Sequence, residues 1–439
     1  MTKFEIALWS FPVLLVLITF RMPIGLAMLV LGIVGSGLVN GTWMPVLSQL
    51  KSLPYDTFST YSLGIIPLFL LMGQFATHGG LSKSLFDAAQ SWLGHKKGGV
   101  AMAAVGACAG FGAVCGSSLA TAATMAQVAL PELRRGGYSG SLSTGALAAG
   151  GTLGILIPPS VVLVVYALLT EQNIAKLFLA AVLPGILAAA GYMIAIAVYV
   201  RLKPESAGQR RVTPLSERIR ATIRIWPVLL VFVIVIGGIY AGLFTPTEGA
   251  AFGAAGTGLI ALANRGLTRE TLIASITQTA TSSAMIFFIV LGAAAFNSFL
   301  AFAQFPQQVA EWVVAQDFAP YTVLVAILIL YLILGCFMDS LSMILLTVPI
   351  FFPVVSGLDF GLSAEAFGLW FGILVLIVVE VGLITPPVGM NLFVINAMAK
   401  DIPMVKTFAG VVPFLISDMI RIVILTAFPA LTIWFLWLE

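Results

Sequence analysis

Two short polar clusters interrupt an otherwise apolar chain. Gly116-Ser117-Ser118-Leu119-Ala120-Thr121 sets three hydroxyls beside a glycine. Gly335, Asp339, Ser340 and Ser342 repeat the pattern further on and add a carboxylate. Small residues of this kind also let helices approach closely, so no single Gly or Ser is diagnostic. A dense hydroxyl cluster beside glycines offers more. If the backbone unwinds there, its carbonyls are free for a hard cation and its N–H groups for an anion. Each cluster is followed by a segment broken at a proline pair: Gly154-Ile155-Leu156-Ile157-Pro158-Pro159-Ser160 and Gly382-Leu383-Ile384-Thr385-Pro386-Pro387-Val388. Proline lacks the N–H and disfavours helix at the residue before it, so each pair releases carbonyls. The candidate cation ligands are therefore Gly116, Ser117, Ser118, Gly154, Ile157 and Pro158 in the first half, and Gly335, Asp339, Ser340, Gly382, Thr385 and Pro386 in the second. A small polar ligand would find the hydroxyls of Ser118, Thr121, Ser160, Ser340 and Ser342, and the amide of Asn391 one helical turn beyond Pro387.

Asp339 is the sharpest single residue. A charge in the middle of an apolar helix costs at least about 2.5–3.5 kcal/mol on the insertion scale. It must face a cavity, a cation or a partner, or serve as a hydrogen-bonding group at a turn. Glu380, just before the second broken segment, is open to the same reading. Glu132, Glu171 and Glu248 fall near the ends of apolar runs, where interfacial water suffices.

The chemistry that is missing is equally informative. No Lys or Arg occurs in 100–131, 140–170 or 321–355. An acidic ligand held by these segments has no arginine clamp there, so bound cations must supply the positive charge. His78 and His95 have no metal spacing, no phosphate-binding Walker loop exists, and Ser117 has no histidine partner in an apolar run. Cys108, Cys115 and Cys336 lie in apolar stretches and form neither a disulfide framework nor a metal motif. No basic stripe marks a nucleic-acid surface. An intramembrane enzyme is thus poorly supported, and a channel would need a continuous polar pore.

The elements that must position these groups follow from composition. Of 439 residues, 60% are hydrophobic and 9% charged, against roughly 25% charged in soluble domains. Most of the outer surface must face lipid, which allows about ten to twelve spans of roughly 20 residues. The expected fold class is an all-α polytopic membrane protein. The run 4–20 reads as a retained span, because Arg21-Met22-Pro23 follows it in place of a cleavage site. The stretches of about 98–132 and 319–356 are long, with polar, helix-weakening centres, and read as re-entrant helical hairpins. The stretches of about 140–170 and 366–398 read as broken helices. The order hairpin then broken span occurs twice, so the chain divides into repeats at 1–200 and 225–439. Between them, the hydrophilic loop 201–224 carries Arg201, Lys203, Arg210, Arg211, Arg218, Arg220 and Arg224 against Glu205 and Glu217, which places it in the cytoplasm. Segments 81–93 and 267–277 read as separate interfacial helices.

Long motifs carry a family resemblance. They are Gly112 with Ser117-Ser118, Ala120-Thr121-Ala122-Ala123-Thr124, Pro131-Glu132 and Gly137-Tyr138; Ala148-Ala149-Gly150-Gly151-Thr152-Leu153-Gly154 through Ser160, with Tyr166 and Thr170-Glu171; Phe244-Thr245-Pro246-Thr247-Glu248; Leu345-Leu346-Thr347-Val348-Pro349-Ile350; and Thr385-Pro386-Pro387-Val388-Gly389-Met390-Asn391-Leu392-Phe393. Together, over nearly the whole chain, they resemble the large membrane subunit of tripartite ATP-independent periplasmic (TRAP) transporters, within the ion transporter superfamily. The resemblance implies inverted repeats and an elevator-type transport domain on a scaffold. It implies uptake of C4-dicarboxylates, sialic acid or similar carboxylates across the bacterial inner membrane, driven by sodium ions. It implies two partners: a small membrane subunit of four spans, here encoded separately, and a periplasmic substrate-binding protein. It places the sodium ions at the clusters named above.

Overall fold

A computed structural model describes residues 1–208, 212–316 and 318–437. Gln209, Arg210 and Arg211 of the basic linker lie outside the described residues. No strand occurs among those described.

The first half runs α1 (Lys3–Thr19), α2 (Ile24–Asn40), α3 (Met44–Phe58), α4 (Ile65–His78), α5 (Leu81–Leu93), α6 (Gly99–Cys115), α7 (Ser118–Arg135), α8 (Gly140–Leu156), α9 (Val161–Thr170) and α10 (Ile174–Leu202). The second half runs α11 (Leu215–Arg224), α12 (Trp226–Tyr240), α13 (Pro246–Ala263), α14 (Arg269–Phe302), α15 (Phe305–Ala315), α16 (Pro320–Gly335), α17 (Ser340–Ser356), α18 (Ala364–Gly382), α19 (Met390–Met398) and α20 (Met404–Ala427). The pairs α6–α7 and α16–α17 are each joined by a short turn. The pairs α8–α9 and α18–α19 are each interrupted at a proline pair, and α8 and α9 are bent by 44°.

Polarity patterns decide which helices are central. α18 is apolar on every side, and every residue from Ala366 to Gly382 is buried. A helix with no polar face belongs inside its neighbours. α8 is buried almost throughout for a different reason: Gly, Ala, Ser and Thr leave it thin enough for α6, α7 and α20 to surround it. α10, α14 and α20 bury only one side and expose large apolar residues such as Ile194, Phe288 and Val423 on the other, as lipid-facing helices do. One large apolar core joins α4 to α10 with α12, α13, the middle of α14 and α16 to α20. A second, smaller core joins α1, α2, α14 and the start of α15, and meets the first through Leu346 and Ile350 of α17.

Among the described residues, five helices are 18 residues or longer and apolar enough to cross a membrane, or seven if each bent pair is one span. Several further apolar runs form helices of 17 residues or fewer, such as α2, α6, α16 and α17. At about 1.5 Å per residue, 17 residues reach about 25 Å, the lower end of what a span needs. Two expectations are corrected. Segment 267–277 is no separate interfacial helix. Thr268 caps a continuous helix of 34 residues, with its hydroxyl accepting from Thr271 N, and no glycine or proline follows until Gly292. The linker 201–224 is not all loop either. Its last ten residues form α11, which meets α12 at a bend of 45°.

Candidate functional site

Local backbone chemistry makes the two turns. α6 ends at Gly116, whose φ of +65° is a conformation that glycine enters without steric cost. Ser117 then takes extended backbone, and its hydroxyl accepts from Ala120 N at 3.4 Å to start α7. In the second turn Asp339 does this work: its Oδ2 accepts from Ser342 N at 3.1 Å and starts α17. The half-buried carboxylate of Asp339 is therefore held, in part, by the backbone it caps.

Each turn is packed against the break of its own half. A Cβ on Gly112 would lie 2.5 Å from Gly154 Cα, and a Cβ on Gly382 would lie 2.6 Å from Gly335 Cα. Only glycine permits either approach. At the first break, a Cβ on Gly154 would stand 2.4 Å from Thr121 Oγ1 and 2.8 Å from the carbonyl oxygen of Ser117. Those two oxygens therefore converge on the end of α8. Gly116 faces the Pro159 carbonyl, and Ser160 caps α9 by accepting from Leu163 N at 3.4 Å. At the second break, Gly389 N donates to the Cys336 carbonyl at 3.3 Å, and Asn391 N donates to the Leu383 carbonyl at 3.1 Å.

The halves meet at Glu380. This residue is 2% exposed, and its Oε1 accepts from Ser340 Oγ at 2.5 Å and from Ser118 Oγ at 3.4 Å. One serine starts the helix after each turn, so a single buried carboxylate oxygen ties both turns together. Two buried acceptors have no described donor: Glu380 Oε2 and Asn391 Oδ1 are unpaired among the described residues, while Thr121 has the Cys115 thiol as a partner. Asn391 Nδ2 donates to the Ala148 carbonyl at 3.4 Å, across the halves. Buried acceptors left unpaired are costly. Oxygen atoms in that state, with no ammonium or guanidinium from the turns, suit a hard cation.

The structure does not use every candidate equally. Ser118, Ser340, Thr121, Asn391, Gly116, Ser117, Gly154, Gly335 and Gly382 are drawn into the turns, the breaks or the Glu380 contact. Ile157 and Pro158 follow α8 directly, Pro158 buried and Ile157 half-buried. Ser342 is buried and gives its N–H to Asp339. Thr385 turns its hydroxyl back to the Val381 carbonyl at 2.6 Å, and Pro386 is exposed. The first break is thus enclosed and the second lies open.

Glu380, named from the sequence beside Asp339 as a charge in an apolar run, is the hub; it is the sole charge in the run 366–398. One feature escapes the residue-by-residue reading, a buried ion pair, Arg421 Nη2 to Asp418 Oδ1 at 2.7 Å. Tyr192 Oη donates to Asp418 Oδ2 at 2.8 Å and meets Thr152 Oγ1 at 3.0 Å, two residues before Gly154. The network braces α8 against α10 and α20. Two opposite charges spaced i, i+3 in an apolar run were its visible trace.

Comparison with known proteins agrees with this architecture. Residues 11–431 match the family described as tripartite ATP-independent periplasmic transporter, DctM component. The chain is 38% identical over 380 residues to the C4-dicarboxylate TRAP transporter large permease protein DctM of Pseudomonas aeruginosa, covering 86% of this chain and 87% of that one. It is 30% identical to the sialic acid TRAP transporter large permease protein SiaM of Vibrio cholerae, covering 94% of each. Among solved structures, the YdaH transporter of Alcanivorax borkumensis shares the fold, with a TM-score of 0.65 over 88% of this chain and 89% of that one at 15% identity. The chain belongs to the DctM family: it is a multi-pass large permease subunit of the TRAP transporters, and not an enzyme.

Proposed function

We propose that this permease takes up a small carboxylate, such as a C4-dicarboxylate or a sialic acid, across the bacterial inner membrane by coupling it to sodium entry. The observation that carries the proposal is the meeting of Ser118 and Ser340 on Glu380. An organic acid brought to the hydroxyls beside this buried carboxyl group meets acceptor oxygens and no positive side chain from the turns. Cations must therefore neutralise the acid. Sodium ions are the cargo that fits. The Ser117 carbonyl at the first break, and the carbonyls of Leu383 and Thr385 at the second, are the oxygens offered to them. Ser118, Thr121, Ser160, Ser340, Ser342 and Asn391 are left to the substrate.

The substrate class is supported by relatives named for C4-dicarboxylate and for sialic acid. The two apolar cores support an elevator. The helices carrying the turns and breaks form the moving body, and α1, α2 and α14 form a scaffold against which α17 slides. The two halves act as inverted repeats, with the Gly112–Gly154 and Gly335–Gly382 contacts as counterparts. A small four-span membrane subunit packs on the scaffold, and a periplasmic binding protein delivers the substrate.

The test is uptake of labelled succinate and labelled sialic acid into proteoliposomes. These hold the permease with the small subunit and binding protein encoded beside it. Accumulation is expected only with an inward sodium gradient and with the binding protein present. Uptake undiminished in sodium-free potassium buffer would remove the coupling. Downhill flux indifferent to both requirements would make the protein a channel.

A further inference from the structure

The transport reading leaves α11 unused. Leu215, Ile219 and Ile223 recur every four residues and are all exposed, and Trp226 continues the same stripe into α12. No residue of α11 is buried. A stripe of this size in water is a standing cost of about 25 cal/mol per Å² of apolar surface. An adjoining side of α11 is held on α5. Trp92 Nε1 donates to Thr222 Oγ1 at 2.8 Å, and the Arg218 guanidinium lies 5.8 Å from the centre of the Trp92 ring. Arg218 Nε also donates to the Thr213 carbonyl at 2.9 Å.

Between the stripe and α5 lies a polar groove of about 340 Å³, lined by Asp87, Gln90, Ser91, Glu217, Arg220 and Arg224 among others. Arg220 and Arg224 are exposed and make no ion pair with a described residue. Of the two carboxylates, Asp87 already has a partner. Within α11 three arginines stand against one glutamate. At Ile225 the chain bends by 45° into the apolar α12, which fixes α11 at the edge of a membrane span.

An apolar stripe flanked by arginines at the mouth of a span is the pattern of a helix lying in the headgroup layer. We propose that α11 is an anionic-phospholipid site. Leu215, Ile219 and Ile223 enter the leaflet, and Arg220 and Arg224 hold the lipid phosphate at the groove. The site would act on the transport body through α5, which packs on α6 and so leads into the first turn. An anionic leaflet attracts such a segment through each basic residue near its surface, and the attraction falls with salt.

The test uses the full-length permease with Cys108, Cys115 and Cys336 replaced by Ala and a nitroxide attached through Ile219→Cys. Nanodiscs of phosphatidylcholine alone are compared with nanodiscs containing phosphatidylglycerol. Oxygen and a soluble nickel chelate compete to relax the label. With phosphatidylglycerol the ratio of oxygen to nickel accessibility should rise several-fold, and high salt should reverse the rise. The double variant Arg220→Gln with Arg224→Gln should lose the rise. The variant Arg220→Lys with Arg224→Lys should keep it, which separates lost charge from lost folding. A label equally immersed in both lipids, or equally water-exposed in both, would overturn the proposal. So would loss of the response in the Lys variant, or a rise produced on phosphatidylcholine discs by inorganic phosphate alone.

Discussion

At the scale of single residues, Glu380 does what no other described side chain does: it accepts from the serines that begin α7 and α17. Sharing one acceptor has a measurable consequence. Hydrogen bonds of this kind contribute about 0.5–1.5 kcal/mol each, and groups that share a partner are not additive. Ser340→Ala should lower the thermal midpoint more than Ser118→Ala, because its bond is 2.5 Å against 3.4 Å. The double variant should show a coupling of about 0.5–3 kcal/mol. Strict additivity in a thermal-shift assay of the purified protein would mean that the two hydroxyls do not share the carboxylate. Glu380→Gln keeps an acceptor oxygen and should fold, yet lose most sodium-dependent uptake. The three cysteines give a second readout. Cys115 and Cys336 sit in or beside the turns, each 5% exposed, while Cys108 is fully buried. In single-cysteine variants, sodium should slow maleimide labelling of Cys115 and Cys336 and potassium should not, while Cys108 stays unlabelled in both. Identical rates for Cys115 in the two salts would count against an ion at the first turn.

At the scale of elements, the turns and breaks depend on glycines that let backbones touch. Gly382→Ala places a methyl 2.6 Å from Gly335, and Gly154→Ala places one 2.4 Å from Thr121 Oγ1. Overpacking of this kind costs about 1–3 kcal/mol. Both variants should melt several degrees lower in differential scanning fluorimetry. Gly106→Ala, where the new methyl meets only the flexible end of Met193 at 3.4 Å, should be nearly neutral. Equal effects at all three would show that close approach is not what these positions protect. The Pro-Pro pairs were legible in the sequence because proline acts through its own ring and its missing N–H, whatever its surroundings. α11 was not, because the seven-to-two charge excess of the linker 201–224 drew attention from the i, i+4 apolar stripe within it. The continuity of α14 through 269–277 was missed for the opposite reason: polar residues there suggested an interface, but nothing in them stops a helix.

At the scale of the whole molecule, the positive charge of the basic linker predicts orientation. A reporter inserted at Gln209, which lies outside the described residues, should be active only on the cytoplasmic side. Activity confined to the periplasm would invert the topology. Energetics offer a further check. A dicarboxylate carried with two sodium ions moves no net charge, and each sodium beyond that gains about 2.3 kcal/mol per 100 mV of membrane potential. At least two sodium ions per substrate are expected, read from the sodium and substrate fluxes of the same proteoliposomes. Composition alone determined that this chain lives in lipid, since 9% charged residues cannot make a water-facing surface. The two proline pairs alone marked where helices break, because their effects on backbone are local. Only the tertiary structure decided that Ser118, Ser340 and Glu380 meet, that Asp339 caps a helix, and that Asp418 and Arg421 brace α8. Each of those outcomes depends on which helices pack side by side, and the partners stand up to 262 residues apart in the chain. No pattern confined to neighbouring residues carries that information.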